Sequence, residues 1–169
     1  MSSLILGLKA ARAYGGRDYR KVIQLLESKP DIEEDSHHMW MIADCHASLG
    51  GDTAAIEWGT RALALFPEDV HALELLAGCY GRTGDYDRAY QCVCAALNQP
   101  LPEPLRLPRF LRGPLKLLSL IPQFKKAADP NRMEDSFKKH DQRRLEWREW
   151  ARGYKSWYEE THGARRPES

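Results

Sequence analysis

The sequence predicts an all-α protein assembled from helix pairs, and three observations carry that expectation. A stretch of 34 residues echoes the 34 that follow it at seven corresponding positions. Glycine and aspartate stand next to each other between apolar stretches of helical length, where one helix ends and the next is capped. Near the C-terminus Trp147, Trp150, Tyr154 and Trp157 recur at spacings of 3, 4 and 3, which puts them on one stripe of a helix.

In chain order, the first candidate pair lies within residues 3 to 30. There Gly16-Arg17-Asp18-Tyr19 echoes Gly84-Asp85-Tyr86, and Leu25 and Leu26 continue an apolar stripe towards Pro30. Residues 36 to 69 and 70 to 103 form the clear repeat. Matching positions hold Ile42 and Leu76, Ala43 and Ala77, Cys45 and Cys79, His46 and Tyr80, Gly50 and Gly84, Ala55 and Ala89, and Ala62 and Ala96. Each type has a physical task. The alanines suit close helix crossings, Gly50-Gly51 and Gly84 supply the positive φ that ends the first helices, and Asp52 and Asp85 are expected to cap the next. Pro67 stops the second helix of its unit.

Residues 98 to 114 contain five prolines, so an uninterrupted helix is not expected there. Residues 101 to 128 read as a connector, with a short helix over 115 to 128 that Pro122 kinks or ends. Arg106, Arg109, Arg112, Lys116, Lys125 and Lys126 are interleaved with its leucines, a pattern that suits either an anionic membrane surface or a cap on the helix array, and the cap is the preferred reading. Asp129-Pro130 then opens a long helix over 129 to 162, as an N-cap followed by proline in the first turn, and residues 163 to 169 make a tail. Its aromatic stripe is expected to pack on the array, because three tryptophans in water would leave a large apolar patch; the alternative is a second interface.

The repeat resembles the tetratricopeptide-repeat (TPR) family, whose pattern calls for large apolar, small, aromatic, glycine and alanine residues at those matching positions. The resemblance covers residues 3 to 100, with two clear repeats from residue 36 and a divergent N-terminal one in which Val22 stands in place of the usual alanine. It implies a helical hairpin array closed by a C-terminal helix. It also implies that positions 2, 5, 9, 12 and 13 of each unit line a concave groove. Here those are His37, Trp40, Asp44, Ala47 and Ser48, then His71, Glu74, Gly78, Gly81 and Arg82. Members that clamp acidic chaperone tails use lysine and asparagine, whereas an acidic peptide here would meet Asp44 and Glu74. The groove residues His37, Trp40, Asp44, His71, Glu74 and Arg82 suit an apolar or partly basic protein segment instead.

Charge and composition narrow the function classes. The net charge of +1 divides into −5 over residues 1 to 100, +4 over 101 to 130 and +2 over 131 to 169. In the last segment bases and acids are interleaved, which argues against nucleic acid as partner. No phosphate loop, nucleophile elbow, zinc-protease helix or dinucleotide fingerprint occurs, so no enzyme activity and no cofactor are expected. Cys45, Cys79, Cys92 and Cys94 form no CxxC pair, and the last two would point about 200° apart on a helix, so they read as small apolar fillers and not as a metal site. The N-terminus lacks the basic start and cleavage site of a secretory leader, which predicts a soluble cytoplasmic protein. The functional expectation is an adaptor or assembly factor that binds another protein. The alternatives are a small secretion-type TPR chaperone and a peripheral membrane protein that uses the basic connector.

Overall fold

Three helix ends share one geometry, and it sets the register of the array. Arg17, Gly50 and Gly84 take positive φ of 60°, 81° and 83°. The following amide then bonds back five residues in each case, Asp18 to Ala13, Gly51 to His46 and Asp85 to Tyr80, at 3.0, 2.9 and 2.9 Å. These turns join α1 (Ser3–Gly15) to α2 (Tyr19–Glu27), α3 (Ser36–Ser48) to α4 (Asp52–Leu65), and α5 (Val70–Thr83) to α6 (Tyr86–Asn98). α7 (Arg109–Leu118) and α8 (Pro130–His162) follow. This computed structural model describes residues 3–100, 106–118, 120–121 and 129–163, and among them there are eight α-helices and no strand.

The array is all-helical: each of the first five helices packs on the next in the chain, and α3 also touches α5. The small residues lie at the crossings: Ala43, Ala55 and Ala62 are fully buried, and Ala77 and Ala89 nearly so. Val22 occupies the equivalent place in α2 and is fully buried as well. Gly59 is a close approach that the repeat pattern did not single out. A Cβ there would lie 2.9 Å from Leu76 Cδ2, so α4 and α5 approach closely and a larger residue would require Leu76 to shift. The cores are Val22, Leu26, Met39, Ile42 and Cys45 with their neighbours, and farther along Leu76, Tyr80 and Ala89. Burial of each large side chain contributes roughly 1.5 to 3 kcal/mol.

Two expectations about local structure change. Asp52 does not cap α4; Gly51 holds the N-cap position without a side-chain bond, and Asp52 is the first helical residue. The repeat itself explains this, since the residue 34 places before Asp85 is Gly51, and Asp85 is the true cap, accepting from Arg88 N at 3.1 Å. In addition, helix begins earlier in the connector than the prolines suggested, with α7 running from Arg109 through Pro114. Pro108 precedes the helix and its carbonyl accepts from Leu111 N at 3.0 Å, while Pro114 removes only one donor from the ladder. Pro122, Lys125 and Lys126, the segment 101 to 105 and the tail from 164 lie outside the described residues.

The chain divides into two compact units, Met1–Gln99 with Tyr154–Ser169, and Pro100–Gly153. The first contains the array. In the second, Asp129 caps α8 by accepting from Asn131 N at 3.0 Å, and Arg112 of α7 pairs with Glu134 of α8.

Arg17 offers a test of the turn geometry. An L-residue with a side chain pays about 1 to 2 kcal/mol in the left-handed region. Arg17→Gly removes that cost but adds entropy to the unfolded chain, leaving about 0.5 to 1 kcal/mol of added stability. A melt should show a rise of a few degrees. A fall would mean that the turn is not left-handed at this position.

Candidate functional site

α3 and α5 begin with the same device, 34 residues apart. Asp35 accepts from His38 N at 3.0 Å, and Asp69 accepts from His71 N at 3.0 Å and from Ala72 N at 3.4 Å. These caps fix where each helix starts and so where its second residue stands. His37 and His71 are the two second residues, both exposed. Trp40, one turn along α3 and half-buried, lies between them, with ring centroids 5.6 Å from His37 and 5.6 Å from His71. Its inner part packs on the core of the first helices. The structure therefore brings three of the candidate residues, from two helices, into one aromatic cluster.

The start of α3 is reinforced by a buried charge. Lys29 is 5% exposed, and its Nζ lies 2.7 Å from Asp35 and 3.4 Å from Asp31. Asp35 also meets His38 Nδ1 at 2.5 Å. Burial works against ionisation of Asp35, but Lys29 and both His38 contacts outweigh it and hold the carboxyl down at about 2. A carboxyl lowered on folding stabilises the protein above its ordinary value of 3.8, and that contribution is lost as pH falls through 3.8 towards 2. We expect acid titration of stability to show a loss in that window, and Asp35→Asn to be less stable at neutral pH and flatter there. An identical acid limb in the variant would contradict this role.

The remaining candidates of this face are held by partners within the array. Asp44 accepts from Tyr14 of α1 at 2.6 Å. Burial, and then that bond, push the Tyr14 phenol far above its ordinary range, so it remains a donor. Arg82 grips Asp52 in a two-pronged pair, with Nη2 2.7 Å from Oδ1 and Nε 3.1 Å from each oxygen, and it also contacts Cys79 Sγ at 3.3 Å. Arg82 thus ties the end of α5 to the start of α4. Glu74 is half-buried one turn beyond His71. Burial raises the Cys45 thiol to about 12 and the Cys79 thiol to about 11, so both stay protonated near neutrality; Cys45 packs in the apolar core, while Cys79 Sγ also meets the Arg82 guanidinium. Among the described residues no three His, Cys, Asp or Glu side chains gather as a metal site.

The aromatic stripe of α8 is divided between the units. In the second unit the Trp147 and Trp150 rings are 6.0 Å apart, and Trp150 is 48% exposed. In the first unit Tyr154 packs on the Leu76, Tyr80 and Ala89 cluster, with its hydroxyl 3.4 Å from Tyr86 O. Trp157 touches the Tyr86 ring edge-on at 5.9 Å yet remains 45% exposed. The residue that fastens this segment is Tyr158, which the aromatic stripe did not include. Only 2% exposed, it stacks on Tyr90 at 4.3 Å and donates to Asp87, while Tyr90 donates to Glu159 at 2.7 Å. A signal for it was present: Tyr86 and Tyr90 are four apart on α6, as Tyr154 and Tyr158 are on α8.

Compared with known proteins, the sequence matches no protein-family model, and no curated protein matches it significantly.

Proposed function

We propose that the chain is a TPR-type adaptor or assembly factor whose α3 and α5 face takes a segment of another protein. The observation that carries this reading is the His37, Trp40 and His71 cluster, in which a half-buried indole lies between two exposed imidazoles on neighbouring helices. An indole so placed offers a rigid apolar anchor at little entropic cost, the kind of residue that dominates binding energy in protein interfaces. Asp44 and Glu74 add negative charge one turn further along their helices. The complementary segment is therefore apolar with a basic group, and an acidic tail is disfavoured.

A displayed library of random peptides tests this directly. Selection on the intact protein should enrich peptides that combine an aromatic or aliphatic residue with Lys or Arg. Binding of those peptides should drop tenfold or more, about 1.4 kcal/mol or greater, for Trp40→Ala. Enrichment of acidic peptides, or equal binding by Trp40→Ala, would reject the reading.

A further inference from the structure

We propose that α7, with the residues flanking it, is an interfacial anchor that lays the chain on an anionic phospholipid surface. Between Arg106 and Ile121 the sequence has Arg106, Arg109, Arg112 and Lys116 and no acidic residue. Along the helix, at about 100° per residue, Phe110, Leu111, Leu115 and Leu117 fall in one arc of about 160°, and Arg112 and Lys116 fall in the arc opposite. Most of the apolar arc faces solvent: Phe110 is 76% exposed and Leu117 69%, Leu115 is half-buried, and beyond the helix Leu120 is 75% exposed. A cluster of large apolar groups left in water is costly, and the cations on the far side indicate what covers it.

The geometry points to a surface and not to a span. Ten helical residues extend about 15 Å, half of the roughly 30 Å hydrocarbon core, and among the described residues no helix is long and apolar enough to cross a membrane. A helix lying in the headgroup plane buries Phe110, Leu111 and Leu117 among the acyl chains. Its cations extend to the lipid phosphates, their aliphatic stems lying along the interface. Arg112 pairs with Glu134, and Arg106 and Lys116 probe the charge of this face without disturbing that pair.

The test is flotation of the full chain with phosphatidylcholine vesicles, with and without phosphatidylserine. The expected result is flotation only with phosphatidylserine, weakened by salt. Arg106→Gln and Lys116→Gln should each weaken the affinity about fivefold, the effect of about 1 kcal/mol per cation at an anionic surface. Phe110→Asp with Leu117→Asp should abolish flotation. Both positions face solvent, so circular dichroism should be unchanged. Failure of the unaltered protein to float with phosphatidylserine would overturn the proposal. So would undiminished flotation of the double variant, or concentration-dependent self-association through this face without vesicle binding. None of these outcomes bears on the Trp40 face, which lies on other helices.

Discussion

A chain that ends at residue 128 is expected to melt well below the full-length protein or to aggregate. The truncation uncovers the outer side of α6. Tyr158 is 2% exposed, stacked on Tyr90 and bonded to Asp87, and Tyr154 packs on Leu76, Tyr80 and Ala89. An end repeat whose apolar side lacks a cover is unstable, because a repeat stack has neighbours on one side only. Tyr158→Ala isolates the largest contribution. Truncation of a buried aromatic costs about 3 to 5 kcal/mol, which for a chain of this size corresponds to a fall of about 10 °C. Tyr158→Phe keeps the stack and loses only the bond to Asp87, so its cost should be nearer 1 kcal/mol. Thermal melts of the three proteins check the order. A truncated chain that melts like the full-length one would show that the C-terminal segment does not cover the array.

The second large effect is expected from Ala77→Trp. Ala77 is 1% exposed in α5, a position where helices approach closely, and an indole there has no space to occupy. Overpacking of this kind costs about 3 kcal/mol or more when the elements cannot move apart. Ala64→Trp is the control, since Ala64 is exposed on α4 and a surface substitution should change stability by less than about 0.5 kcal/mol. Denaturant titrations should separate the two clearly. Similar midpoints would place Ala77 away from a crossing.

The helix pairs were legible because their ends are written in local chemistry. Gly50 and Gly84 supply the left-handed turns, and Asp18 and Asp85 supply the caps, each within four residues of the amide it serves. The repeat also pointed to the close crossings, since alanine recurs at matching positions where two helices meet and is small enough for them to approach. What was not legible depends on contacts distant in sequence. Tyr14 meets Asp44 across 30 residues and Arg82 meets Asp52 across 30, so two candidate site residues turned out to be tied within the array. Asp52 was misplaced by one residue because an aspartate beside a helix start reads as a cap, whereas the repeat register assigns that place to Gly51. Tyr158 shares the i, i+4 spacing of Tyr154, but the partner that fixes it, Asp87, lies 71 residues away in sequence. A tyrosine whose hydroxyl finds an aspartate can be buried completely, while Trp157 beside it stays half in water.

The binding face can be examined through the indole N–H signals of the five tryptophans, assigned by single Trp→Phe variants. A selected peptide is titrated into the isotopically labelled protein while those signals are followed. The Trp40 signal should shift or broaden together with the ring signals of His37 and His71, while Trp150 and Trp157 hold their positions. A response confined to Trp150 or Trp157, with Trp40 unmoved, would contradict this and place the interface on α8.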